Sequence, residues 1–146
     1  MADRFVPDDF DVPRTLTGPV FRLEPLGPEH NERDHAAWMS SIDHIRATPG
    51  FPDGGWPHPM PLEENLADLV RHAEDFEARR GFTYSVLDGD DVIGCVYIYP
   101  CSEPGIDAEV QTWVTALRAD LDDVVRRAVA GWVASWPVGR VRVHGL

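Results

Sequence analysis

FTYSVLDGDDVIGCVYIY, residues 82–99, is the stretch on which the fold turns. Residues 82–87 and 92–99 are rich in β-branched and aromatic side chains, and Asp88-Gly89-Asp90-Asp91 lies between them. An Asp-Gly pair between two such runs signals a tight hairpin, because glycine accepts the positive φ that the turn demands. Two antiparallel strands are therefore expected. On the C-terminal side, residues 106–114 alternate, with Ile106, Ala108, Val110, Thr112 and Val114 on one face and Asp107, Glu109, Gln111 and Trp113 on the other. The second, charged set is expected to lie opposite the core.

Further out, Leu121, Val124, Val125, Ala128, Val129, Trp132, Val133 and Trp136 mark a helix over residues 121–136, stopped by Pro137 and Gly139. Val141 and Val143 predict a last short strand. On the N-terminal side, the stripe from Leu62 through Leu66, Leu69, Val70, Ala73 and Phe76 predicts a helix over 62–80, with Gly81 as its stop. Residues 48–61 pile up prolines and glycines around Phe51, Trp56 and Met60 and read as an ordered loop. Trp38, Ile42 and Ile45 mark another helix over 28–47. Residues 19–25 form a short strand bounded by proline, and residues 1–18 an N-terminal arm, leaving 19–146 as a single domain. The fold class is α/β (α+β), a mixed, mostly antiparallel sheet flanked by helices.

The chain has 146 residues, enough to bury about two-thirds of its unfolded surface without disulfides or metal. A net charge of −12 argues against nucleic acid and anionic membrane as partners, since both need clustered cations, and favours a cationic or amine substrate. All 13 basic residues are arginine, so no lysine nucleophile exists. Cys95 and Cys101 are too few for a four-ligand zinc site and read as structural thiols, and the six histidines show no metal-ligand spacing, so no metal is expected. The N-terminus lacks the basic and apolar regions of a signal peptide and no apolar run reaches spanning length, which makes the cytoplasm the expected compartment. Nucleophile-elbow, phosphate-loop and dinucleotide motifs are missing, which removes hydrolase, kinase and Rossmann readings.

The element order, with Val92-Ile93-Gly94-Cys95-Val96-Tyr97-Ile98-Tyr99 and Ala108-Glu109-Val110-Gln111-Thr112-Trp113-Val114 as local matches, resembles the GNAT superfamily of acyl-CoA N-acyltransferases. Within it, the chain is similar to small acetyltransferase-like proteins of high-GC bacteria. In that family the second matching strand splays from its neighbour and pairs with the pantetheine arm of the cofactor. The next helix offers its amides to the diphosphate through a turn Arg/Gln-x-x-Gly-x-Gly/Ala. Free amides and the helix dipole make an anion site, and glycine lets the backbone come close. The segment here is Arg118-Ala119-Asp120-Leu121-Asp122-Asp123: Arg118 matches, Leu121 and Asp123 replace the glycines, and three carboxylates stand where phosphate would dock. Asp120 with Asp123 three residues on also reads as a relative of the capping box.

The resemblance implies acetyl-CoA as donor, held by Val114, Thr115, Ala116, Leu117 and Arg118, with Arg126 or Arg127 as other phosphate ligands. It implies Glu109 as the base, with Asp107 second, and Tyr97 or Tyr99 as proton donor or pocket wall. Asp107 is also a candidate for binding the acceptor. The stretch between the first helices, with Phe51, Trp56, His58 and Met60, is expected to border the acceptor, a small-molecule amine. Family members usually continue past the last strand, so Leu146 gives a short C-terminal end, and a homodimer partner could complete the sheet edge. Two functions follow: an acetyl-CoA-dependent N-acetyltransferase, or a non-catalytic ligand-binding or interaction module of the same fold that has lost the pyrophosphate turn.

Overall fold

The computed structural model describes residues 5–51 and 55–146; residues 1–4 of the arm and 52–54 of the Pro/Gly loop lie outside the described residues. Six strands form one sheet in sequence order: β1 Leu16–Thr17, β2 Arg22–Pro25, β3 Phe82–Asp88, β4 Asp91–Pro100, β5 Ala108–Val114 and β6 Val141–Val143. Neighbours are antiparallel until the last pair, β5 and β6, which is parallel. The hairpin expected at 82–99 is present, with Gly89 at φ 61 in its turn. Residues 16–17, read as part of the arm, supply β1.

The helices are α1 Asn31–Met39, α2 Ile42–Arg46, α3 Leu62–Glu77 and α4 Asp122–Val133. Val96, Ile98, Val110 and Val114 pack with Val125, Val129 and Val133 of α4 in one core. Cys95, Trp113 and Leu87 pack with Trp38 of α1 and Leu69 of α3 in another. This corrects the alternation read for residues 106–114: both faces are covered, and Trp113 on the supposedly polar face is fully buried.

Three helix boundaries differ from expectation for local reasons. The helix over 28–47 opens with a 3-10 turn at Pro28–His30 and breaks at Ser40 and Ser41. There Ser40 Oγ donates to the Ala37 carbonyl at 2.7 Å, a local alternative to the helical ladder. The helix over 121–136 is preceded by a 3-10 turn, Ala116–Leu121, so Leu121 stands at the N-cap and the capping box predicted at Asp120 does not form.

The helix over 62–80 ends at Glu77, and Arg79, not Gly81, takes the left-handed conformation with φ 63. Arg79 is held there by donating to the Pro7 and Phe10 carbonyls of the arm, at 2.6 and 2.8 Å. Gly81 is needed for another reason, since a Cβ there would lie 2.1 Å from the Tyr99 ring. Gly81→Ala is expected to destabilise the fold by about 1–3 kcal/mol through overpacking. Gly131→Ala inside α4, where a Cβ meets nothing within 4 Å, should stabilise it by about 0.5–1 kcal/mol. Urea unfolding of the two variants reads both signs.

Candidate functional site

The pairing of β5 with β6 covers only Ala108–Val141, Glu109–Arg142 and Val110–Val143. Alternation along β5 decides what is left over. Ala108 N–H bonds the Arg140 carbonyl and His144 N–H bonds the Val110 carbonyl, so even-numbered residues turn their backbone groups toward β6, while Thr115 N–H bonds Ile93 on the other side. The backbone of Thr112 and Val114 thus faces β6 beyond the end of its ladder. The ladder between the two parallel strands ends here, with β6 itself ending at Val143. The chain then turns at Gly145, φ 95, directly against Arg126 of α4: a Cβ on Gly145 would lie 2.6 Å from Arg126 Nε.

Arg126 is 8% exposed, and its Nε has no hydrogen-bond partner among the described residues, though one terminal nitrogen lies 3.7 Å from Asp123. The Thr112 hydroxyl and one Asp122 oxygen are likewise buried without partners. Orphan groups of this kind mark a place where a polar ligand or water belongs. An acyl-CoA donor fits the free strand edge, which can pair with an amide-bearing arm, and the Arg126 guanidinium suits phosphate. The turn at 116–121 fits less well, because Ala116 N–H already donates to Ser41 Oγ at 2.8 Å and Asp122 bonds His44 at 2.8 Å.

On the opposite face of the sheet lies a cavity of about 380 Å³ between α1, α3, the 48–61 loop and β4–β5, with Asp34, Phe51, Trp56, His72, Tyr97 and Gln111 in its wall. Burial pushes the Asp34 carboxyl up to about 6, partly offset by a hydrogen bond from Asn65. Burial and the neighbouring Arg71 push His72 down to about 4, so its ring is neutral near pH 7. Burial likewise raises the Tyr97 phenol, which stays protonated while it accepts the Trp113 indole N–H at 3.0 Å.

Beside this cavity, Glu109 Oε1 lies 2.9 Å from His144 Nε2. Gly50 joins the two: it lines the cavity, its carbonyl accepts from Gln111 at 2.7 Å, and its missing Cβ lets the His144 ring approach. His144 is the residue sequence reading missed, because its partner is 35 positions away and no local spacing announces the pair.

Of the residues singled out from sequence, Trp56 and Tyr97 line the cavity, while Glu109 is outside its lining and is linked to it through His144, which packs at Gly50. His58 bonds the neighbouring Pro59 carbonyl and is exposed, outside the wall. Asp107 accepts the Arg140 N–H at 2.8 Å and braces the entry to β6, away from the cavity. Val114 ends the free edge, with Thr115 and Ala116 leading into the 3-10 turn, while Leu117 is 95% exposed. Arg118 is drawn to Asp88 of the hairpin at 2.8 Å. Among the described residues no cluster of three or more His, Cys, Asp or Glu is placed to hold a metal ion, and no helix is long and apolar enough to cross a membrane.

Comparison with solved structures matches this architecture to GNAT acetyltransferases. A ribosomal-protein-S5-alanine acetyltransferase from Vibrio fischeri superposes with a TM-score of 0.62 at 16% identity, over 85% of this chain and 66% of its own. A putative GnaT-family acetyltransferase from Bordetella pertussis gives 0.59 at 17% identity, over 90% and 78%. The microcin C7 self-immunity acetyltransferase MccE, solved with acetyl-CoA and AMP, gives 0.60 at 10% identity, over 80% and 62%. The chain thus spans just under two-thirds of the Vibrio and microcin proteins. No family model matches it, and no curated protein sequence does. The fold is the GNAT fold: a mixed α/β architecture with a six-stranded sheet flanked by helices.

The Asp34 shift has a measurable sign. Its folded pKa of about 6 lies above the ordinary 3.8, so the native state holds the proton more tightly. The carboxylate then costs stability above pH 6, and the cost vanishes as pH falls toward 3.8. Asp34→Asn is expected to be more stable than the parent at pH 7.5, by on the order of 2 kcal/mol, with the gain shrinking toward zero at pH 4. His72 acts the other way, losing stability between about 6.5 and 4, which is why the difference between the two proteins is the quantity to follow by urea unfolding.

Proposed function

We propose that this chain is an acetyl-CoA-dependent N-acetyltransferase for a small amine. The observation that carries the reading is the unpaired edge of β5 beyond Val110, set between Arg126, whose Nε has no partner among the described residues, on one face and the Glu109–His144 pair on the other. The donor supplies a thioester acyl group. Thr112 and Val114 hold its arm through their backbone, and Arg126 takes phosphate in place of the turn amides, with Arg118 tied to the hairpin. The acceptor enters the cavity lined by Trp56 and Tyr97.

Acyl transfer to an amine needs no covalent enzyme intermediate; it needs positioning and removal of a proton. Glu109 with His144 provides the base, the carboxylate orienting the imidazole or taking the proton through it. Tyr97 lines the acceptor cavity with its ring, its buried hydroxyl being engaged by the Trp113 indole and Cys95. MccE in complex with acetyl-CoA lends support from a neighbour of the same fold.

A second reading, a non-catalytic module of this fold, is favoured by one observation: Ser41 and His44 already occupy the Ala116 amide and the Asp122 carboxylate. Calorimetric titration with acetyl-CoA separates the two. The transferase reading expects saturable binding that weakens about tenfold in Arg126→Ala, in line with loss of one charged hydrogen bond. In Glu109→Gln, turnover of an amine acceptor should fall about 10²- to 10⁴-fold with donor affinity intact. Absence of binding at millimolar acetyl-CoA would sink the transferase reading and favour the module.

A further inference from the structure

The cavity between α1, α3 and the β4–β5 face has a chemistry more specific than "amine". We infer that it takes a primary monoammonium ion carrying an apolar body of about one aromatic ring and no carboxylate, its charge at Asp34 and its body among Phe51, Trp56 and Tyr97. The inference rests on the transferase reading only for the word acceptor; binding of the cation does not require it.

Three features converge. The first is a carboxylate with no ion-pair partner, the nearby His30 and His35 rings directing Nε2 to Glu24 and to the Met60 carbonyl. Asp34 is 4% exposed, and no ion pair joins it to an arginine or histidine among the described residues. It is held rigidly: Asn65 Nδ2 donates to Asp34 at 3.1 Å and to Asn31 at 2.9 Å, while Asn65 Oδ1 accepts the Trp38 indole N–H at 3.0 Å. A buried carboxylate in this setting is stabilised by an incoming positive charge, consistent with the upward displacement of its proton affinity.

The second is the wall. Trp56 lies 5.9 Å from Phe51 and 6.4 Å from Tyr97, ring centre to ring centre, so the space beside Asp34 is bounded by aromatic rings whose faces attract cations. Leu26 and Leu69 add apolar surface to this side of the cavity, while Asn65, Asp68, Arg71, His72 and Gln111 supply polar groups around it. A cavity of about 380 Å³ sits at the small end of ligand pockets, of roughly 300–1,000 Å³, and suits one ring with a short chain.

The third is what the cavity lacks. Its one guanidinium, Arg71, is bonded to Asp68 at 2.8 Å, and His72 directs Nδ1 at Tyr99 and Thr83 and is neutral near pH 7. A ligand carboxylate would meet the buried Asp34 carboxylate, and among the described lining residues the one guanidinium is already paired with Asp68. The net charge of −12 steers cations toward the molecule in the same sense.

The test uses the full chain at pH 7.5 without acetyl-CoA, followed by calorimetry and tryptophan fluorescence. Phenethylamine, its neutral counterpart 2-phenylethanol, and phenylalanine are the probes. Phenethylamine is expected to bind saturably and at least about tenfold more tightly than the other two, as one desolvated charge contact allows. Asp34→Asn should weaken it at least about thirtyfold while leaving the alcohol unchanged. Trp56→Leu, which keeps an apolar wall, should weaken the amine about three- to thirtyfold with little effect on the alcohol. Equal binding of amine and alcohol, phenylalanine binding as tightly as the amine, or no amine binding overturns the inference. Failure of the amine with acetyl-CoA still bound leaves the transferase reading standing; amine binding without acetyl-CoA binding does the reverse.

Discussion

The end of the β5–β6 ladder at Val110 and Val143 is the constraint from which the rest follows. Strand β5 is buried on both faces and fully paired with β4, so it cannot shift to follow β6 when β6 turns away. What turns β6 away is local. His144 makes the last bond to Val110, and Gly145, in a conformation that a side chain would strain, folds the chain against the Arg126 guanidinium. The backbone groups of Thr112 and Val114 are left facing a gap. Buried peptide groups require partners, so the gap must hold water or something that can pair as a strand does.

The same strand ties the two faces together. Its even residues reach toward α4 and the orphaned Thr112 hydroxyl, while its odd residues, Glu109, Gln111 and Trp113, reach toward the cavity and its rim. At the head of α4 the turn at 116–121 has resolved its charges internally. Asp123 pairs with Arg127 at 2.7 Å, Asp122 with His44, and the Ala116 amide is capped by Ser41. Carboxylates in the first turn favour the helix dipole, so the substitutions that spoil a diphosphate turn are good helix chemistry. Farther along the helix, Arg126 keeps its Nε without a partner among the described residues while a terminal nitrogen lies 3.7 Å from Asp123.

Much of this was legible in the sequence, because strands and helices announce themselves by period. The Asp-Gly hairpin, the stripe of α4, the short final strand and the missing glycines all rest on local patterns. The failures have a common cause in tertiary context. Alternation at 106–114 suggested a solvated face, yet Trp113 is buried because α1 and α3 cover it. Gly81 looked like a helix stop and is instead a clearance for Tyr99, while Arg79 bears the left-handed turn because the arm supplies its bonds. The Glu109–His144 pair, the Asp34–Asn65 clamp and the Ser41 cap each join residues more than 30 positions apart, which no spacing rule reaches.

Gly50 shows how closely the cavity and the Glu109–His144 pair depend on each other. Its φ of 101 suits glycine alone, its carbonyl anchors Gln111, and the space a Cβ would fill is taken by His144 at 3.2 Å. The loop that carries Phe51 and Trp56 is therefore docked on the residue that pairs with Glu109. A side chain at this position would strain the loop and press on the imidazole, disturbing the aromatic wall and the Glu109–His144 contact at once.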